Sequence, residues 1–144
     1  MAGDPVLRRR AAVAEICGVA ARTVIERVVD EAVAASSRFG LTRERANSYA
    51  TGIETMLPAV LDTMRLPDSP ERSAGIDRIA REVRAVSEQH RVPRIVERGL
   101  TAIAIRIARE LVRRRAADHG FGPDELEAEF LAFGDQLEAR LFSG

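Results

Sequence analysis

The chain has 144 residues, enough for one domain with its own core and too few for two of ordinary size. Hydrophobic residues make up 46% and charged residues 31%, a balance that excludes a disordered segment. The 22 basic residues, all arginine, balance 22 acidic ones, so no net charge draws the chain toward nucleic acid or an anionic membrane.

Turn signals divide the chain into five helical segments. The first runs from about Pro5 to Ser37. Val13, Cys17, Ala20, Val24, Val28 and Ala32 recur at steps of three and four and share one face. Ile16, Val19, Ile25, Val29 and Val33 widen that stripe, which predicts burial on more than one side. Gly40 suits a left-handed cap just past the end.

The second segment starts at Leu41-Thr42, with Thr42 as N-cap and Glu44 in the first turn, where a carboxylate favours the helix dipole. Pro58 falls inside its apolar pattern, removes a helical donor and crowds the preceding turn. This predicts a kink or short break near Met56. Leu66-Pro67-Asp68-Ser69-Pro70 reads as a loop. In the third segment Ser69 caps and Pro70 takes the first helical position. Ile76, Ile79, Val83 and Val86 form a narrow stripe that ends before Pro93.

The fourth segment begins at Pro93. Val96, Leu100, Ile103, Ile107 and Leu111 mark one face, and Ile95, Ala102, Ala104, Ile105, Ala108 and Val112 make the rest nearly as apolar, so we expect this helix to be central. Arg113-Arg114-Arg115 and Gly120 suit its C-terminal end. The fifth follows Gly122-Pro123-Asp124-Glu125. Its stripe of Leu126, Phe130, Phe133, Leu137 and Leu141 docks on one surface, either the chain's own core or a partner's helix.

Reactive groups are sparse. Cys17 is the one cysteine, so no internal disulfide forms and a reducing compartment is expected. Its ordinary role is that of a small buried apolar residue. His90 and His119 sit at helix ends, where they suit capping of the last carbonyls. Neither has a His or Cys three or four residues away to complete a zinc pair. No Gly-rich phosphate loop and no G-x-S-x-G occur, and Glu127 and Glu129 diverge around a helix. We therefore expect no catalytic, cofactor-binding or metal-binding site. Arg45, Asn47 and Tyr49 form the polar cluster nearest an apolar face and are the candidate lining of a ligand pocket. The N-terminal MAGDPVLRRR lacks the apolar run of a signal peptide, and no stretch approaches the roughly 20 apolar residues of a membrane span. These features lead us to expect a cytoplasmic chain with no membrane association.

Two regulatory resemblances carry functional expectations. Residues 13–29, VAEICGVAARTVIERVV, resemble the helix-turn-helix of LacI-type repressors at Ala14, Glu15, Gly18, Val19, Thr23 and Val24. That resemblance implies a turn at Gly18 and a second helix presenting Arg22, Thr23 and Glu26 to the major groove. The same residues also fit one uninterrupted helix, with Gly18 costing about 1 kcal/mol. Separately, from about Val24 to Leu141 the chain resembles the helical N-terminal sensory domains of PucR-type transcription regulators and RsbR-type co-antagonists. The best segment is VSEQHRVPRIVERGLTAIAIRIAREL, with Val92-Pro93 before the apolar run of Ile95, Leu100, Ile103 and Ile107; Arg91 stands where the group carries glycine. This resemblance implies a globin-like fold without haem that passes signals to an output domain.

Taken together, the sequence predicts an all-α single domain over residues 1–144, a compact bundle of about five helices with globin-like or orthogonal-bundle packing. We expect a homodimer, because the first and fifth helices carry surplus apolar surface. The expected function is a non-catalytic sensory or protein-interaction module in a bacterial regulatory pathway, answering a protein partner or small-molecule effector. The alternative is a DNA-binding transcriptional regulator using residues 10–30, the one case in which nucleic acid is a partner.

Overall fold

The computed structural model describes residues 3–143 and has seven α-helices and one 3₁₀ turn among them. The start of α1 (Pro5–Ala34) is fixed by Asp4, whose carboxylate accepts from the Val6 N–H at 2.8 Å, and by Pro5 at the first helical position. A short α2 (Ser36–Phe39) follows one residue later and ends on Gly40 with φ 66°, the predicted left-handed cap. Thr42 caps α3 (Arg43–Glu54), its hydroxyl accepting from the Arg45 N–H at 3.2 Å.

The break expected near Met56 is present. α3 stops at Glu54, and α4 (Leu57–Arg65) begins with Pro58 in its first turn, where a missing N–H costs nothing. The Ser69 hydroxyl accepts from the Arg72 N–H at 3.2 Å and opens α5 (Pro70–Gln89). Pro93 caps α6 (Arg94–Arg115), the 3₁₀ turn spans Ala117–His119, and Gly120 reverses the chain at φ 80°. At the head of α7 (Pro123–Phe142) the Glu125 carboxylate accepts from the Gly122 N–H at 3.3 Å. The five predicted segments become seven helices because two of them divide, the first after Ala34 and the second at Thr55–Met56.

The centre of the bundle is α1, a correction to the expectation that the fourth segment would occupy it. α1 packs against α3, α4, α6 and α7, whereas α6 packs chiefly on α1 and α7. The reason is side-chain size and sidedness. α1 buries Ala12, Ala14, Ala20 and Ala32 together with Val13, Ile16 and Val29, and small residues let four neighbours approach its axis. α6 keeps Arg98, Ala102, Arg106 and Arg109 in solvent and buries one side only. The stripe of α7 is consumed within the chain: Leu126, Phe130, Phe133 and Leu141 are buried, and the helix packs on α1, α5 and α6.

The buried side chains form three groups. One joins Val13, Ile16, Met64, Ile76, Ile79, Val112, Leu126, Phe130 and Phe133; another joins Val29, Phe39, Leu41, Tyr49, Val92, Val96 and Leu100; a third joins Ala20 of α1 to Ile107 and Leu111 of α6. α5 and α6, consecutive in the chain, do not pack extensively along each other. Residues from all three groups line the candidate site.

Candidate functional site

A cavity of about 290 Å³ runs through the middle of the bundle. Every helix except α2 contributes to its wall: Ile16, Ala20, Val24 and Val28 from α1, Ile53 from α3, Leu61 from α4, Ile79 and Val83 from α5, Ala104 and Ala108 from α6, and Phe133 and Leu137 from α7. Small residues facing one another create the room, since Ala20, Ala104 and Ala108 stand where larger side chains would fill it. Polar groups on the wall are few: Tyr49, Glu54, Thr101 and the Cys17 thiol. The wall reaches solvent beside Glu54, which pairs with the exposed Arg22 of α1 at 3.6 Å. An apolar cavity of this kind stays dry, because water inside would lack partners.

Behind the cavity wall, Tyr49 meets buried polar groups that do not themselves line the space. The Tyr49 and Ser87 hydroxyls hydrogen-bond at 3.0 Å, and both residues are buried. The His90 ring meets Tyr49 edge-on, with centroids 6.2 Å apart. Burial raises the Tyr49 phenol above its ordinary range; the Ser87 hydrogen bond opposes this and the negative charge of Glu97 adds to it. Glu97 itself is only 2% exposed, and its Oε1 has no hydrogen-bond partner. Burial also pushes the Cys17 thiol up to about 12, so it stays a neutral apolar wall group at physiological pH.

Of the three residues expected to line a pocket, Tyr49 does and two do not. Arg45 is exposed and donates to the carbonyls of His90 and Arg91 at 3.1 and 3.4 Å, so it closes the C-terminal end of α5. Asn47 is exposed, because two residues along a helix is more than half a turn away from Tyr49. His90 occupies the C-cap position of α5, but the contact to the final carbonyls comes from Arg45.

Of the two readings of residues 13–29 the structure has the uninterrupted helix: they lie in the interior of α1, unbroken from Pro5 to Ala34, and the turn at Gly18 that the LacI-type resemblance implies is absent. Gly18 is helical, and a Cβ there would lie 3.2 Å from Leu61 Cδ1, so the glycine serves close packing of α1 on α4. Arg22, Thr23 and Glu26 are exposed along one side of that helix, and no second helix follows Gly18 to enter a groove.

Sequence reasoning missed Glu97 and Ser87. The signal was there in each case: Glu97 precedes Leu100, Thr101, Ala104 and Ala108 on one helical face, and Ser87 is one turn past Val83 on the α5 stripe. A polar residue interrupting an apolar stripe was the mark. Arg10 and Arg72 were also missed. Both are buried, at 7% and 3% exposure, and they fasten the loop between α4 and α5.

Among the described residues no three His, Cys, Asp or Glu side chains come together to hold a metal ion, and no helix is long and apolar enough to cross a membrane. No protein-family model, no curated protein and no solved structure matches the chain.

Proposed function

We propose that this protein is a non-catalytic sensory module of a bacterial regulatory pathway that takes a small apolar effector into the bundle and signals through helix packing. The cavity carries this reading. Its wall is almost wholly apolar, so water entering it finds few hydrogen-bond partners. A ligand filling the space recovers contacts that the protein alone leaves unmade.

The mechanism follows from the position of α1. It forms one wall of the cavity and also packs on α3, α4, α6 and α7. An occupant between α1 and its neighbours favours whichever spacing of those helices fits it best, and the bundle shifts toward that arrangement. The resemblance to PucR-type and RsbR-type sensory domains supports a role of this type, with the signal read by an output domain or partner protein. We place the module in the cytoplasm, in keeping with an unpaired Cys17. The proposal retains a homodimer. Since α1 and α7 spend their apolar faces inside the chain, its contacts would draw on the large apolar side chains left exposed, Val19 and Ile95. Light scattering across a concentration series reads that association directly.

The test is binding of 1-aminonaphthalene, a small aromatic fluorophore that brightens away from water and is within the size that the cavity admits. The protein should bind it saturably, and 1-octanol should displace it. Ala104→Leu should fill part of the cavity, stabilise the free protein by about 0.5–2 kcal/mol and weaken the probe at least tenfold. A probe that fails to bind, or binds the Ala104→Leu protein equally well, overturns the reading.

A further inference from the structure

We infer that the cavity selects its ligand by length, and that the ligand is an unbranched aliphatic chain of about ten carbons. This rests on the cavity reading above and adds the chemical class of the ligand.

The shape of the space carries the inference. Val13 groups with Val112, Ala20 with Ile107 and Leu111, and Val29 with Val96 and Leu100. α1 and α6 are therefore antiparallel, and the three buried groups follow one another along both helices. Each group contributes to the cavity wall: Ile16 from the first, Ala20 and Leu111 from the middle one, Ala32 and Leu100 from the last. On α1 the lined stretch from Ile16 to Ala32 rises about 24 Å. A compact void of about 290 Å³ would be about 8 Å across. Even with a helical turn of about 5.4 Å lining it at either end, it would span only about 19 Å. The space is thus drawn out along α1, over about 13 Å once the end turns are set aside.

Spread over that length, the volume leaves a cross-section of about 22 Å². Carbon atoms in contact lie about 4 Å apart, so a strand of this width holds one hydrocarbon chain and not two. Bonded carbons about 1.5 Å apart advance roughly 1.3 Å each along a zigzag, so about ten fit the length. The volume agrees, since a void of about 150 Å³ holds the six carbons of benzene. The wall offers little to grip a particular head group. The Tyr49 hydroxyl is engaged with Ser87 at 3.0 Å, and burial keeps the Cys17 thiol neutral. What discriminates is length, because each methylene that enters leaves water and one beyond the end of the space does not.

The experiment sets 1-hexanol, 1-octanol, 1-decanol and 1-dodecanol as competitors of 1-aminonaphthalene at pH 7. Affinity should rise about fourfold per methylene as far as decanol, then gain less than twofold in all from decanol to dodecanol. Ala50 lines the cavity from α3 and packs against the last of the three groups, so it stands at one end of the space. In Ala50→Leu the break should move down to octanol, while 1-hexanol changes less than twofold. The series on the unmodified protein stands without the variant, so an Ala50→Leu chain that fails to fold does not remove the test. A gain that continues unbroken through dodecanol overturns the length assignment. So does a folded Ala50→Leu protein that leaves the break in place or weakens every alcohol alike. These outcomes leave the apolar cavity standing, whereas failure of 1-aminonaphthalene itself to bind removes both readings.

Discussion

Arg10 and Arg72 donate to the same acceptor, the carbonyl oxygen of Leu66, at 2.7 and 3.2 Å. From α5, Arg72 also reaches the carbonyls of Thr63 and Met64, both at 3.0 Å, and its guanidinium lies over the Phe133 ring. From α1, Arg10 reaches Asp68 at 2.8 Å and Glu129 of α7 at 3.1 Å. Two cations thus satisfy the last carbonyls of α4 and tie the α4–α5 loop to three helices. Burial, with the Arg10 charge adding to it, lowers the Arg72 pKa. The carboxylates of Asp68 and Glu129 offset part of that effect.

A double-mutant cycle on this pair should be non-additive. Arg10→Ala and Arg72→Ala should each destabilise by about 3 kcal/mol, because buried carbonyls lose donors. The double variant should cost about 1 kcal/mol more than the sum. Either single change leaves Leu66 one donor and relieves the repulsion between the cations; only the double change orphans the carbonyl. Urea denaturation measures all three. Strict additivity would show that the two guanidiniums act as separate sites.

Acid should erode stability through two carboxylates, the exposed Asp68 and the half-buried Glu127. The hydrogen bond and charge of Arg10 hold Asp68 below its ordinary 3.8, and the hydrogen bond from Arg109, with Arg113 adding to it, holds Glu127 below 4.5. Both are depressed in the folded state, so between folded and unfolded values the unfolded chain binds more protons. Their contribution is complete above the unfolded values and disappears as pH falls through the folded ones. Thermal melts from pH 6 to pH 2 should show a shallower acid limb in Asp68→Asn than in the parent. An unchanged limb would mean that the Arg10–Asp68 contact has no weight in solution.

Glycine to alanine inside a helix ordinarily gains about 1 kcal/mol. At Gly75 the sign should reverse. A Cβ there would lie 2.8 Å from Thr63 Oγ1 and 2.9 Å from Thr63 Cγ2. Thr63 is buried, β-branched and bonded to the Ala59 carbonyl, so rotation only exchanges one clashing group for another. Gly75→Ala should destabilise by about 1–3 kcal/mol, and adding Thr63→Ala should recover most of it. A stabilised single variant would show that α4 and α5 are not held at this close approach.

Cys17 should be nearly inert in the folded chain. With its thiol at about 12 against an ordinary 9.0, the thiolate fraction at pH 8 falls on the order of a thousandfold. Labelling by a chromogenic aromatic disulfide should be fast in urea and slow in buffer, and slower again with 1-octanol present, because Cys17 is part of the cavity wall. Fast labelling in buffer would place the thiol in solvent.

The helices and their ends were written locally. Thr42, Ser69, Gly40, Gly120 and the prolines at 5, 58, 70 and 123 act on backbone groups within a few residues, so their effects can be read from the chain alone. The all-α fold class and the break near Met56 followed from the same local chemistry. Tertiary packing decided the remainder. Gly18 fits a continuous helix in the sequence, and only the packing shows that Leu61 of α4 lies against it. Which helix took the centre depended on how four partners share α1. The cavity belongs to no single segment, since alanines from separate helices leave a void only once those helices surround one space. The sequence marks Glu97 as a polar residue on an apolar face, but its lack of a partner arises only when neighbouring helices exclude water from it.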